Sequence, residues 1–191
     1  VAADPVGANS RMGRYTNFAN LLDRSALAVP AGVVDGRPFG VMLTGAPFAD
    51  RTLAQLAERM MAPAIEVLVV GAHLRGQPLN HQLVASGGSF VRAVRTAPDY
   101  RLFALDTVPP KPGLARVAEG GAAIEGEVWR LPAAGFGGFV AALPQPMGIA
   151  RTHLDDGSSV AGFLCEMIAL DGAADITEFG GWRAYLTHLA Q

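Results

Sequence analysis

The sequence has little that would suit a disulfide framework, a membrane span or a nucleic-acid partner. It contains one cysteine, Cys165, which cannot form an internal disulfide and fits a reducing cytoplasm. Its longest apolar runs, such as residues 64–72, are shorter than the roughly 20 residues that a membrane span needs. No basic cluster is available to follow a phosphate backbone, since 15 Lys and Arg stand against 17 Asp and Glu. We therefore expect neither a membrane nor a nucleic acid as partner.

Metal and cofactor sites are not expected either. The lone cysteine has no second cysteine and histidine at the spacing of a tetrahedral metal site, and we predict no other cofactor. What the sequence does contain is apolar: 50% of its 191 residues are hydrophobic. That is enough to bury the core of one domain, or of one domain plus a fragment.

The first third of the chain predicts a strand hairpin and a helix. Residues 1–22, which contain Gly, Asn and Pro, predict a loop; they begin with neither Met nor a leader, so we expect a piece of a longer protein. Two β-prone runs, residues 25–32 and 38–45, flank Asp35-Gly36, a dipeptide typical of hairpin turns. After Asp50, apolar side chains recur at helical spacing behind an acidic cap, until Pro63 ends the helix.

A change of composition near residue 63 predicts a domain boundary, with residues 1–63 before it and residues 64–191 after it. Strand-like apolar patterns recur in the second part; they are residues 64–72, 100–105, 123–131 and 158–170. Two further stretches predict helices; they are residues 132–143, with Pro in the first turn, and 176–190, which two glycines interrupt. This pattern predicts a mixed domain of helices and five or six strands.

Residues 4–62 resemble the end of the amidase domain of allophanate hydrolases, which are amidase-signature enzymes. The resemblance lies in NSRMGRYTNFANLLDRSALAVPAG and DGRPFGVMLTGAPFADRTLAQLA. Those enzymes activate a serine nucleophile with a Ser-Ser-Lys triad, which the resemblance places upstream of this chain, so we expect no amidase activity from it. The resemblance also implies that Tyr15 and Asn17, in a polar loop, help to shape the amidase pocket wall. The alternative is that this loop only supports packing.

The stretch VVGAHLRGQPLNHQL, residues 69–83, places a histidine in a loop directly after a predicted buried strand. Glycine there lets the backbone approach a ligand, and the N–H groups of such turns form anion sites. The placement resembles the Tyr-Gly-Ser motif of the γ-glutamyl cyclotransferase-like fold, which binds substrate through its backbone. Here Val70 and Ala72 replace the tyrosine and serine, and no carboxylate follows EVWRL, where those enzymes place their catalytic glutamate. The resemblance therefore implies an α+β fold, a small mixed β-barrel or sheet with helices, without cyclotransferase chemistry.

A set of motifs across residues 65–190 is similar to the carboxy-terminal domain of allophanate hydrolases. They are VGAHLRGQPLN, TAPDYRLFAL, GEVWRLP, FGGFV, PMGIA, DGSSVAGFLCE and DITEFGGWRAYL. The family implies that the amidase domain releases ammonia from allophanate and leaves N-carboxycarbamate. The resemblance further implies that the carboxy-terminal domain decarboxylates this small molecule. The resemblance also implies two partners, the rest of the amidase domain and a second copy of the chain in a homodimer.

His73 is the residue that we expect to be catalytic. Imidazole exchanges protons near neutrality, with an ordinary pKa of about 6.5. Decarboxylating a carbamate-like dianion needs a proton on nitrogen as the carbon–nitrogen bond breaks, and donors for the carboxylates. The predicted substrate-binding groups are the backbone amides around Gly71, Ala72 and Leu74 and the side chains of Arg75 and Tyr100. The alternative for His73 is a structural histidine that is bonded to a carbonyl.

Two carboxylates and the cysteine are interpreted as structural. Glu125 and Glu127 alternate along a predicted strand and so share one face. We interpret that face as exposed to solvent rather than as an acid–base pair. Cys165, in an apolar strand, is predicted to be an inert core thiol.

Two hypotheses from different classes follow. In the first, residues 65–190 form an enzyme that decarboxylates N-carboxycarbamate. In the second, the domain is an assembly module that stabilises the amidase dimer or organises larger complexes, because the chain holds no complete catalytic set.

Overall fold

The computed structural model describes residues 4–191, apart from the side chains of Asn9, Met12, Arg14 and Tyr15. These residues form two compact units, one that ends at Ala62 and one that runs from Pro63 to Gln191. The fold class is α+β, as predicted. Within residues 4–191, no helix combines the length and the apolar character needed to cross a membrane.

The first unit contains two helices and a hairpin, which are α1 (Pro5–Leu21), β1 (Ser25–Val34), β2 (Arg37–Gly45) and α2 (Asp50–Met61). The prediction of a loop before the hairpin is wrong, because Pro5–Leu21 is helical. Asp4 caps this helix by accepting a hydrogen bond from the Gly7 N–H at 2.9 Å. Pro5 fits the first turn, where its missing N–H has no helical partner in any case.

The hairpin and the second helix agree with the sequence except at the helix cap. Asp35 and Gly36 both have positive φ, at 50° and 73°, as the predicted tight turn between β1 and β2 requires. The helix α2 ends just before Pro63. Asp50 is the first residue of this helix rather than its cap. The start of the helix is bound by Ser25 of β1. Its hydroxyl accepts from the Ala49 N–H at 2.9 Å and donates to Asp50 Oδ2 at 3.1 Å.

The second unit, whose residues are all described, has eight strands, so the prediction of five or six is too low. Five of them are β3 (Ala64–Val69), β4 (Ser89–Arg95), β7 (Glu125–Pro132), β8 (Met147–His153) and β9 (Ser159–Cys165). They form one sheet in the order β4-β7-β3-β9-β8. In this sheet β3 runs antiparallel to β7 and parallel to β9.

The remaining strands form a second sheet in the order β10-β5-β6, in which β5 is Tyr100–Leu105, β6 is Lys111–Arg116 and β10 is Ala174–Asp175. The helices of this unit are α3 (Asn80–Ala85), α4 (Ala133–Ala141) and α5 (Trp182–Leu189). The helices α4 and α5 are the two that the sequence predicts. The predicted helix over residues 176–190 starts only at Trp182, because Gly180, in the left-handed region, and Gly181 precede it. Buried side chains from both sheets form one core, with Leu68, Leu102, Leu114 and Val128 among its members.

The five-stranded sheet is partly rolled. A bridge between Thr96 and Leu154 joins the ends of its two edge strands, and the Asp155 N–H donates to the Arg95 carbonyl at 3.1 Å. The rest of these edges is not paired in the described unit. The sequence left a barrel or a sheet open. The structure has an open sheet whose two edge strands are joined at one end only.

Glu127 on β7 is buried, with 1% of its side chain exposed, so the interpretation of an exposed face is wrong for this residue. Its carboxylate accepts hydrogen bonds from the Arg75 N–H at 3.0 Å, from Trp129 Nε1 at 3.1 Å and from Arg183 Nη2 at 2.8 Å. Burial acts to raise the pKa of Glu127, but these donors outweigh burial and hold that pKa below its ordinary value. Glu125, two residues earlier, is 59% exposed.

We predict that Glu127→Gln destabilises the second unit by about 2–3 kcal/mol, because an amide NH₂ would face donors that now bind a carboxylate. The matched variant Glu125→Gln, which loses an exposed ion pair, should change stability by less than about 1 kcal/mol. Both tryptophans of the sequence, Trp129 and Trp182, lie in this unit. Urea unfolding followed by tryptophan fluorescence therefore reports on it.

The difference in stability between the wild type and Glu127→Gln should depend on pH. Because the pKa of Glu127 is lowered on folding, its contribution is complete above its unfolded pKa of about 4.5 and is lost as the pH falls through the lower folded value. The advantage of the wild type over Glu127→Gln should shrink below pH 4.5. Equal stabilities of the two proteins at pH 7 would contradict the role given to this carboxylate.

Candidate functional site

A cavity of about 540 Å³ lies beside the loop that follows β3 in the second unit. Its walls come from residues 69–73 of that loop and strand, from α3, from the start of β6, and from α4 with the residues that follow it. Phe139 and Phe163 are among its apolar lining residues. The polar side chains that line it are those of His73, Gln82, Ser86 and Lys111, and no Asp or Glu of the described unit is among the lining residues.

The His73 ring is held by two phenylalanines and a glutamine. It lies nearly parallel to Phe163 at 5.3 Å between ring centroids, and edge to face with Phe139 at the same distance. His73 Nε2 lies 2.9 Å from Gln82 Oε1. Because a carbonyl oxygen only accepts, Nε2 carries the donated hydrogen, and Nδ1 is the basic nitrogen of the neutral ring.

Burial lowers the pKa of His73 below its ordinary value of 6.5. The hydrogen bond to Gln82 opposes this shift, and the charges of Lys111 and His81 add to it. The free imidazole is therefore mostly neutral at pH 7. A negative charge placed beside the ring would raise this pKa and favour the protonated form.

The loop around His73 is fixed by its own hydrogen bonds. Asn80 Nδ2 donates to the His73 carbonyl at 2.8 Å, and the Leu79 N–H donates to the Ala72 carbonyl at 2.9 Å. In the fully described second unit, the N–H groups of Gly71 and Ala72 donate to no backbone carbonyl outside the strand ladders and to no side chain. Both residues line the cavity beside the imidazole.

The glycine at position 71 serves packing. A Cβ atom added at Gly71 would overlap the ring of Pro112 on β6. The close approach that the sequence led us to expect is therefore made to another part of the chain, and it brings β6 against the loop of His73.

The other predicted binding residues lie away from the cavity lining. Leu74 is buried in the core, and its N–H donates to the Gly71 carbonyl at 2.9 Å. Arg75 pairs with Glu127 and places its guanidinium carbon 3.5 Å from the centre of the Phe90 ring. Tyr100 is fully buried, and its hydroxyl accepts from the His153 N–H at 3.0 Å.

The two residues assigned to an amidase pocket belong to the first unit. The backbone of Tyr15 and Asn17 lies in α1, where a loop was predicted. The side chain of Tyr15 is outside the described part of the chain, and Asn17 is exposed. Their role in a pocket stays a prediction.

Sequence reasoning missed Lys111 and Gln82, which the fold brings to the wall beside His73. Gln82 left no signal beyond its place in the same loop motif. Lys111 did leave a signal in the sequence, because it is the only lysine.

Within the described side chains, no group of three or more His, Cys, Asp or Glu residues comes together as a metal site. Cys165 is buried, and burial, together with the charge of Glu166, raises the pKa of its thiol.

The fold and site define a class: an α+β domain with a largely apolar cavity that is lined by an imidazole, an ammonium group and the loop after β3, and by no carboxylate of the described second unit. Residues 65–187 match the family model described as the allophanate hydrolase C-terminal domain. The chain belongs to this family, and the resemblance found in the sequence is confirmed.

Three known proteins place the chain among its relatives. It is 38% identical to the urea amidolyase of Lachancea kluyveri, over 100% of this chain and 13% of that protein. The solved allophanate hydrolase of Kluyveromyces lactis is 37% identical, with a TM-score of 0.64, over 99% of this chain and 37% of that one. The solved c4763, a uropathogenic E. coli-specific protein, is 38% identical, with a TM-score of 0.62, over 66% of this chain and 98% of that one. The chain thus spans a small part of the first two relatives.

We predict that NMR titration of the four histidines finds His73 with a pKa below 6.5. Gln82→Leu should lower this pKa further, because it removes a hydrogen bond that favours the charged ring. Lys111→Met should raise it, because it removes a nearby positive charge. The signal is assigned by its loss in His73→Asn. Shifts of the same sign in Gln82→Leu and Lys111→Met would contradict this account of the site.

Proposed function

We propose that the second unit decarboxylates N-carboxycarbamate, and that the chain acts in the breakdown of urea through allophanate as the carboxy-terminal part of an allophanate hydrolase. Its family and the names of its relatives support this setting. The single observation that carries the proposal is the position of His73, a half-buried imidazole on the wall of a cavity that no carboxylate of the described second unit lines. The proposed location is the cytoplasm, which the lone cysteine suggests.

The reaction needs one proton and no cofactor. The bond between nitrogen and one carboxylate carbon breaks, its electron pair stays on nitrogen, and that nitrogen takes up a proton. The dianion plus one proton gives carbon dioxide and the carbamate monoanion. Carbamate then takes up two protons and yields ammonium and a second carbon dioxide.

His73 is the proposed proton donor. The bound dianion brings negative charge to the ring, which offsets the effects of burial and of Lys111 and favours the imidazolium form. With Nε2 directed to Gln82, Nδ1 is the nitrogen that gains and transfers the proton. The free N–H groups of Gly71 and Ala72 are proposed to hold a carboxylate during the step.

Residues 4–62 are proposed to be the end of the amidase domain. In this proposal the first unit contributes structure, and Tyr15 and Asn17 contribute to a pocket wall that other parts of the amidase domain complete. The Ser-Ser-Lys triad is proposed to lie outside these 191 residues, so the chain alone has no amidase activity.

The substrate is unstable, so the test forms it in place. A separate amidase domain acts on allophanate in the presence or absence of the 191-residue chain, and released carbon dioxide is followed by membrane-inlet mass spectrometry. We expect the chain to accelerate carbon dioxide release. His73→Asn should lose at least about 100-fold of that acceleration, because general acid catalysis contributes about 10²–10⁴-fold.

The matched control is His188→Asn, an exposed histidine on α5 outside the cavity lining. This variant should keep the full acceleration. Equal release of carbon dioxide with and without the chain, or an unaffected His73→Asn, would refute the decarboxylase proposal.

A second candidate function, assembly through the first unit rather than through the carboxy-terminal domain, is favoured by the hairpin of β1 and β2. In this two-stranded sheet, three apolar side chains near the turn, Val33, Val34 and Phe39, are 66%, 56% and 45% exposed, and adjacent exposed apolar side chains favour an interface. We infer that this hairpin is covered in a homodimer by a second copy of the chain, or in the full hydrolase by the rest of the amidase domain.

For the assembly candidate, we predict that light scattering of the 191-residue chain gives the mass of a dimer. Phe39→Ser together with Val33→Thr should shift the mass to that of a monomer, because both changes remove exposed apolar surface. The exposed polar change Thr187→Ser on α5 should leave the dimer intact. A monomeric wild type would refute homodimer formation through the hairpin.

A further inference from the structure

Lys111 is the only cationic side chain, apart from a protonated His73, that lines the cavity of the fully described second unit. It is the first residue of β6. Its neighbour Pro112 packs on Gly71, so the start of this strand is held against the loop that carries His73. The ammonium group of Lys111 and the imidazole of His73 therefore line the same cavity.

Lys111 has no ion-pair partner among the described residues. Seven arginines of the second unit pair with carboxylates, including Arg75 and Arg183 with Glu127. Lys111 is half-buried, and removing a charge from water without a partner is unfavourable. The ammonium group is thus free to pair with the negative charge of a bound ligand.

A second depression on the same unit shows the opposite arrangement. It is lined by both signs of charge, and its Arg92 and Arg95 lie 3.2 and 3.5 Å from Asp156 and Glu125. Its positive charges are already neutralised by the protein. The cavity at Lys111 is therefore the better place for a small anion.

We propose that Lys111 binds a carboxylate of the ligand and makes the cavity selective for small dicarboxylates over their neutral amides. The identity of the ligand rests on the proposed function. One carboxylate contacts Lys111, and the other reaches the free N–H groups of Gly71 and Ala72. The apolar surface of Phe139 and Phe163 reduces screening and strengthens this attraction.

The cavity, at about 540 Å³, is larger than a three-carbon dicarboxylate. Close fit therefore does not distinguish a carboxylate from an amide of the same shape. The charge of Lys111 does, since an ammonium group attracts the carboxylate and gains little from the amide.

The test uses malonate, a stable analogue of N-carboxycarbamate with CH₂ in place of NH, and its neutral counterpart malonamide. Incorporation of ¹³C-lysine into the full chain gives one lysine side-chain signal, because the sequence has one lysine. We expect malonate to shift this signal saturably and malonamide to leave it in place. A lysine signal that does not respond to malonate would overturn the proposal without the use of any variant.

Variants then measure the contribution of the charge by calorimetry. Lys111→Met should weaken malonate binding about 10- to 100-fold, and Lys111→Arg should restore most of it. Malonate binding that is unchanged in Lys111→Met would overturn the proposal.

Failure of this inference is distinguishable from failure of the proposed function. Malonate binding that depends on Lys111, without acceleration of carbon dioxide release, would support the anion site and refute the decarboxylase proposal. Acceleration that depends on His73, with malonate binding unchanged in Lys111→Met, removes only the inference about Lys111.

Discussion

The cavity depends on one packing contact, that of Gly71 with the ring of Pro112. Any side chain at position 71 would overlap this ring, so glycine is required where the loop leaves β3. The contact joins the five-stranded sheet, through β3, to the three-stranded sheet, through β6. It thereby brings His73 and Lys111, which are distant in sequence, to the wall of one cavity.

A buried carboxylate fixes the other end of the same loop. Glu127 binds both the N–H and the side chain of Arg75, two residues beyond His73. Arg183 on α5 donates to Glu127 and to the Arg75 carbonyl, each at 2.8 Å. The loop is thus held by β6 on one side and by β7 with α5 on the other, which gives the imidazole a defined position beside the free amides of the loop.

The sequence predicted those elements whose local pattern agrees with their final environment. The run YRLFAL coincides with β5, and the Asp35-Gly36 turn lies where its positive φ angles are needed. It failed for α1, whose Gly and Asn residues suggested a loop although Asp4 and Pro5 supply a helix start. It also missed β6, because Pro112 and Gly113 disfavour a strand locally, and pairing with β5 overrides that preference.

The sequence by itself determined the family, the α+β class and the histidine in a glycine-containing loop after a strand, because these features lie in contiguous motifs. Only the tertiary structure decided which groups stand beside that histidine. Leu74, Arg75 and Tyr100 are close to it in sequence or in motif, yet they serve the core, an ion pair and a backbone contact. Lys111 faces the cavity instead, because burial and strand pairing are properties of the folded chain and are not encoded in the spacing of neighbouring residues.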